Sequence, residues 1–302
     1  MMKANTLMLL PLIIAAVMAI ALIVHAASQP PPPSLLSAYG EVARLGAGGA
    51  NVTLLVNELN QAINLTSEGE ASNASPLINE VLAQLPGARA SLNGILASKV
   101  IALAAAAAVI AAAALIYAKR REIIGELWLR LRSGDSVRAG PGKPTTLLFN
   151  EEVASIVLAI LIILVVFITA QSVVSNYSTR FSAIGLLGPG GKLGGYPSTI
   201  PVNSSPRLYL YVYNHMGEPV WYVVDVYLIN ASSQPPVTAP PLLTYERILL
   251  NNQSWIAPLS IPSVGEPGSY KLLAELWMYS PSNLTLTYTG EYVQLYFNAT
   301  VS

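Results

Sequence analysis

The chain has 302 residues, 53% hydrophobic and only 11% charged, with 16 basic and 16 acidic side chains, two histidines and no cysteine. So apolar a composition excludes an ordinary soluble domain of this length and calls for a bilayer. The missing cysteine excludes disulfide staples and zinc-thiolate or thiolate chemistry, and the zero net charge offers no footprint for nucleic acid.

Three apolar runs meet the requirement of roughly 20 residues for a helix crossing about 30 Å of hydrocarbon: Leu7 to Ala27, Val100 to Ala118, and Val153 to Ala170. The first has a single-lysine lead and a Val-His-Ala ending, which also fits a cleaved signal peptide; its length favours retention. Pro30 to Pro33 then form a stiff polyproline spacer. Beyond it the period becomes 3.6, with Leu35, Tyr39 and Val42 on one face and Gly46, Gly48 and Gly49 as a stop. A second stripe holds Val52, Leu55, Leu59 and Ile63. A third, Leu77, Ile78, Val81, Leu82 and Leu85, starts at Ser75-Pro76 and is expected to break at Pro86-Gly87. These segments predict a small helical hairpin over 28–99, too small to bury a core alone and so packed on something else.

The second span is alanine-rich from Ala102 to Ala114, and small residues let helix backbones approach closely, which suits a contact with another span. Lys119, Arg120 and Arg121 cap it. Ile123, Ile124, Leu127, Trp128 and Leu131, flanked by Arg130 and Arg132, make an amphipathic segment suited to the lipid headgroup interface. The loop 119–152 carries seven Lys/Arg against five Asp/Glu, whereas 27–98 carries two against five. By the positive-inside rule the loop is cytoplasmic, and the regions 28–99 and 171–302 lie outside.

Nine of the seventeen asparagines sit in Asn-X-Ser/Thr sequons: Asn51, Asn64, Asn73, Asn176, Asn203, Asn230, Asn252, Asn283 and Asn298. With 41 Ser plus Thr in the chain, chance gives about two. None falls in the basic loop, so charge and sequons agree on topology and predict N-linked glycans on both outer regions. Glycosylation without disulfides in a proline-rich chain points towards an archaeal cell surface.

From Arg180 onward, alternation replaces the helical period. Leu208, Leu210 and Val212 alternate with Tyr209, Tyr211 and Tyr213, and Val220 to Leu228 alternates against Trp221, Asp225 and Tyr227. Further strands are expected near 242–250, 254–261, 270–279 and 284–299, the last with a turn at Gly290. The expectation is a membrane protein of α + β class: three transmembrane helices (1–27, 100–118, 153–170), the extracellular helical hairpin, the cytoplasmic loop, and an immunoglobulin-like β-sandwich of about seven strands over 171–302.

Leu187 to Pro197 (Leu-Gly-Pro-Gly-Gly-Lys-Leu-Gly-Gly-Tyr-Pro), Val212 to Tyr222 (Val-Tyr-Asn-His-Met-Gly-Glu-Pro-Val-Trp-Tyr) and Gly290 to Val301 resemble an archaeal membrane-protein family of unknown function with a membrane-anchored extracellular β-domain. The resemblance covers residues 171–302 and implies that fold and no activity. Met216 stands where the family often has an acidic residue.

No set of residues spells out catalysis. His215 before Met216-Gly217 reads as a turn residue, and Asp225 as a solvent-facing acid paired with Arg207 or Arg247. Gly188 to Lys192 departs from the phosphate-loop pattern and reads as a turn. Fifteen tyrosines furnish a partner- or sugar-binding face, or fill a half-buried sheet. The expectation is therefore a non-enzymatic surface glycoprotein without cofactor or metal. It touches membrane lipids and makes protein contacts, with a partner or with its own copies, in a membrane assembly or the cell envelope. The alternatives are a receptor-like module binding a sugar or peptide at the sandwich loops, and an extracytoplasmic hydrolase, which a convergent acid pair would revive.

Overall fold

The computed structural model describes residues 30–119, 179–229 and 232–301, together with 156, 159, 160 and 162–167. The first apolar run, most of the basic loop and much of the third run lie outside the described residues. Two compact units are present: one takes in the chain up to Leu92 and from Thr179 onward, the other Asn93–Ser178.

In the first unit, helix α1 (Pro33–Ala47) begins with a proline in its first turn, where the missing N–H costs nothing. It buries Leu35, Ala38, Tyr39 and Val42 and ends at Gly48 and Gly49, the latter at φ 97. Helix α2 (Thr53–Ser67) starts where Asn51 Oδ1 accepts from the Thr53 N–H, 3.2 Å, and buries Leu55, Val56, Leu59, Ala62 and Ile63. Helix α3 (Ala71–Ala118) buries Ala74, Ile78, Val81 and Leu85 along one stripe.

Three helices thus stand where a hairpin is predicted, and α3 runs through Pro86-Gly87 without the expected break. The reason is packing on both sides of the proline. Leu85 lies in the core, Ala88 and Leu92 pack against it, and Pro86 itself is exposed, so packing offsets the lost hydrogen bond and the ring's crowding of the preceding turn.

Eight strands follow: β1 (Phe181–Leu187), β2 (Thr199–Pro201), β3 (Arg207–His215), β4 (Val220–Ile229), β5 (Leu243–Leu249), β6 (Ser254–Ser260), β7 (Gly268–Tyr279) and β8 (Leu286–Thr300). They form two sheets, β1-β3-β6 and β2-β8-β7-β4-β5. All neighbours are antiparallel except β2 with β8. The alternation in β3 does what it predicts: Leu208, Leu210 and Val212 point inward, where they meet Tyr222, Val224 and Val226 of β4 and Leu272, Ala274 and Leu276 of β7. The C-terminal region is a β-sandwich.

Two strand expectations need correction. β1 and β2 are not foreseen, because Phe181–Leu187 has no clean alternation and Thr199–Pro201 is only three residues long. Gly290 is not a turn between strands; β8 passes through it at φ 85 as a bulge that shifts the register between Glu275 and Trp277.

The three helices cover part of the outer face of the five-stranded sheet. Trp221, Val223, Ile248 and Tyr279 share one core with Leu35, Tyr39, Leu59, Ile78 and Val81, so β4 is buried on both faces. Pro219 lies so close to Gly46 that a Cβ there would sit 2.5 Å from its ring.

Two polar contacts fix this layer. The Tyr39 hydroxyl accepts from the Trp221 N–H (3.2 Å) and donates to the Tyr279 carbonyl (2.9 Å), while Asn60 donates to the Ile248 carbonyl and accepts from its N–H at 2.9 and 2.8 Å. Asn60 thereby satisfies backbone groups on edge strand β5.

In the second unit, the part of α3 beyond Asn93 exposes Val100, Ile101, Leu103 and Leu115. Among the described residues α3 is the one helix long and apolar enough to cross a membrane. Of the third run, helix is described at 162–167, where Ile163, Leu164, Val166 and Phe167 are exposed.

Tyr39→Phe leaves the buried Trp221 N–H and Tyr279 carbonyl without their relay. It should lower stability by about 1–3 kcal/mol, read as an earlier denaturant midpoint in tryptophan fluorescence, with little change in the slope.

Candidate functional site: the bare sheet face and a buried acid cluster

The outward face of the three-stranded sheet is built by parity alone. In β3, residues 207, 209, 211, 213 and 215 point away from the core. Register sets Leu187 and Pro258 beside Tyr209, Gly185 and Ile256 beside Tyr211, and Ala183 and Ser254 beside Tyr213. No carboxylate occupies these positions, and Arg207 stands at one end. Ile256 is 52% exposed and Phe181 46%. This face is thus lined by half-buried tyrosines, with Ile256 and Phe181 exposed beside them.

At the opposite end of this face, three rings gather. Phe181 and His215 lie 5.0 Å apart, Phe181 and Tyr213 5.9 Å, and Tyr213 stacks on His215 at 6.2 Å and 12°. His215 is therefore the last residue of β3 and part of an aromatic group, and its Nδ1 donates to Asn252 Oδ1 at 2.5 Å. The adjoining turn is held by Asn214, fully buried. Its amide donates to the Glu218 and Leu249 carbonyls and its Oδ1 accepts from Met216 N–H and the Tyr222 hydroxyl, so every hydrogen-bonding capacity of that side chain is used.

The other feature lies on the outer face of the five-stranded sheet. Register places Asp225 directly opposite Glu275 on β7 and Thr244 on β5, with Glu246 two residues along. Asp225 accepts from Thr244 Oγ1 at 2.8 Å; the expected partnership with Arg207 or Arg247 does not form, because Arg207 belongs to the other sheet and Arg247 lies over Trp255. Glu246 accepts from the Trp221 indole N–H at 3.1 Å, and Glu275 from the Val237 N–H at 2.8 Å.

Burial pushes all three carboxyls up, Glu246 to about 7, with the Asp225 charge adding to the rise in Glu246 and Glu275. Burial also lifts Tyr279 to about 12. Among the described residues, Glu275 Oε2, the Trp277 indole N–H and the Tyr288 hydroxyl are buried and make no hydrogen bond of good geometry. Lys271, fully buried four residues from Glu275 along β7, donates to the Ser233 carbonyl. Asp225 and Glu275 meet as an acid pair; Glu275 is closed off from solvent, whereas Asp225 and Glu246 are half-buried. Among the described residues no group of acids and histidines is placed to hold a metal ion.

The predicted site residues are not brought together. Asn51, Asn64, Asn73, Asn203, Asn252, Asn283 and Asn298 are all exposed and spread over helices, turns and strand β8. Asn176 and Asn230 lie outside the described residues, as do Arg120, Arg121, Arg130 and Arg132; Lys119 follows the end of α3 and is exposed. The acid cluster escaped the sequence reading because its members are 21 and 29 residues apart along the chain, counting from Asp225 to Glu246 and on to Glu275. Its signal was an acid at mid-strand in each of three runs.

No family model matches the chain, and no curated protein matches it in sequence. Among solved structures, the CARDB domain of the PF1109 protein from Pyrococcus furiosus, described in complex with di-metal ions, is similar at 12% identity. That match covers 42% of this chain and 98% of that one at a TM-score of 0.30. A β-glucosidase from Listeria innocua matches at 11% identity (41% of this chain, 16% of that one, TM-score 0.28). The native alpha-2-macroglobulin of Escherichia coli, from domain MG7 to the C-terminus, matches at 10% (41% and 17%, TM-score 0.29). The chain thus spans about one sixth of the length of the last two. Likenesses this weak carry no functional argument. The family resemblance over 171–302 finds no sequence support here; the coarser statement, a β-sandwich, stands on the strand pairing.

Glu246 binds a proton more tightly folded than unfolded, so its stabilising contribution is full below about 4.5 and declines as pH rises to about 7. Glu246→Gln should flatten the loss of stability between those values by about 2–3 kcal/mol, measured as the denaturant midpoint of the full chain in detergent at pH 4.5 and pH 8.

Proposed function

We propose that this chain is a multi-pass, non-enzymatic surface glycoprotein whose sandwich mediates protein contacts, as an accessory subunit of a membrane assembly or as an envelope component. The observation that carries this reading is the contrast between the sheets. The five-stranded sheet has helices over part of its outer face, whereas the three-stranded sheet presents Tyr209, Tyr211 and Ile256 outward with no element of the described chain laid over them.

Topology has its own support. Residues 35–92 and 221–279 contribute to one hydrophobic core, so they occupy the same side of any membrane, and whatever lies between must return the chain to that side. Two crossings, at 100–118 and 153–170, do this; one does not. With the basic loop 119–152 inside, the helical layer and the immunoglobulin-like sandwich stand outside, and a third span at 1–27 anchors the start. The sequons then all face the compartment of the glycosylation machinery, and an archaeal surface suits the absence of cysteine.

Solubilising native membranes in mild detergent, isolating the full chain and identifying co-migrating proteins tests this reading. A stoichiometric companion is expected, and Tyr211→Asp or Ile256→Asp should release it at least tenfold while leaving the unfolding midpoint within about 0.5 kcal/mol, as surface substitutions do. A chain that migrates alone as a monomer overturns it.

A further inference from the structure

Three observations converge on the turn between β5 and β6. Its backbone is clamped: the Asn252 N–H donates to the Asn214 carbonyl (2.7 Å), the Gln253 carbonyl accepts from Asn214 N–H (3.0 Å), and Gln253 N–H donates to the Leu250 carbonyl (3.0 Å). Its flanking side chains are used internally, Asn251 Oδ1 accepting from Gly217 N–H and Gln253 Oε1 from Leu250 N–H. Asn252, at φ 62, is the side chain left outward. Its Oδ1 accepts from His215 Nδ1 (2.5 Å) and from the Tyr213 hydroxyl (3.4 Å), and among the described residues its Nδ2 makes no hydrogen bond.

Asn252-Gln253-Ser254 is a sequon, and Ser254 is the cross-strand partner of Tyr213. The carbonyl oxygen of the acceptor amide is thus oriented by two members of the Phe181, Tyr213 and His215 ring group, and the nitrogen is free. We infer that Asn252 carries an N-linked glycan whose first sugar lies against the exposed side of these rings. This rests on the surface location proposed above.

At three other described sequons the acceptor amide is held differently. Asn73 donates its Nδ2 to Glu70, and Asn283 Oδ1 takes both hydrogen bonds from Thr285 within its own turn. Asn298 Oδ1 accepts from Ser269 Oγ. At Asn252 the C–H face of a sugar ring meets an aromatic surface that is already ordered, so the contact costs little conformational entropy.

In the modification the Nδ2 of Asn252 bonds to the anomeric carbon of a lipid-phosphate-linked oligosaccharide. The carbon–oxygen bond to the phosphate breaks, the lipid phosphate leaves with the electron pair, and the amide gives up one proton. The donor and the transferase are supplied by the cell. Seated on Tyr213 and His215, the glycan frames one end of the tyrosine face and leaves Tyr209, Tyr211 and Ile256 clear.

The test uses the full chain from its native membranes. Cleavage after Arg247 and Lys271 releases residues 248–271, in which Asn252 is the sole sequon. A glycan mass on that peptide is expected, and its loss in Ser254→Ala, which keeps Asn252 and its hydrogen bonds. Ser254→Ala should also lower Tm by about 2–4 °C, and by far less in a Tyr213→Ala background, where the seat is gone. If this peptide is bare while other sequons are occupied, the inference falls and the surface reading stands; if every sequon is bare, the surface reading falls with it. A glycan present with strictly additive effects of the two substitutions overturns the aromatic seat.

Discussion

The Tyr39 hydroxyl is the point on which the architecture turns. It belongs to the first helix and is separated from its partners by 182 and 240 residues, yet it is inserted between two cross-strand neighbours of the central β4–β7 pair. The ring stands edge-on to Trp221, centroids 5.7 Å apart, in the geometry aromatic pairs prefer. Burial pushes its ionisation far above the ordinary range, so the hydroxyl stays a neutral donor and acceptor. A polar group placed so deeply is stabilising only while both hydrogen bonds are made, and that requirement sets the position of the whole helical layer. Asn60 repeats the device at the sheet edge, where it occupies Ile248 backbone groups that would otherwise invite another strand.

That layer divides the five-stranded sheet into two regimes. Where α1, α2 and α3 cover it, large apolar rings fill the contact. Beyond them Asp225, Glu246 and Glu275 share the face, with no salt bridge to any of them among the described residues. Carboxylates brought together under partial burial resist ionisation, so this part of the sheet is a source of cost at neutral pH. Glu275 is held by Val237 from the segment between β4 and β5, and Lys271 by Ser233 of the same segment, so one irregular strap serves both.

The two sheets therefore differ in what covers them. One has helices over part of its outer face. The other carries Pro258 in edge strand β6, where it removes an N–H. The shared core of helices and sandwich also makes folding nonlocal: residues 35–92 cannot complete it until the strands beyond Thr179 are present.

Much of this was legible in the residues. Helical period placed most of the buried stripes of the three helices, alternation placed the inward and outward residues of β3, and the described sequons stand at exposed positions, because period and solubility act locally. The exceptions have nonlocal causes. Pro86 reads as a stop, yet tertiary contacts at Leu85, Ala88 and Leu92 carry the helix through it. Asp225 reads as solvent-facing because alternation cannot reveal that strand register sets it between Glu275 and Thr244.

By itself the sequence determined the class of the protein: an apolar, cysteine-free chain with spans long enough for a bilayer, a helical part and a sandwich, since composition and period are properties of neighbouring residues. Only the tertiary structure decided that helices and sandwich share one core, that three acids meet on one sheet face and that three rings gather at Asn252. Each of these depends on strand register and on contacts between residues far apart in the chain, and no local pattern encodes which distant partner a buried hydroxyl or carboxylate will find.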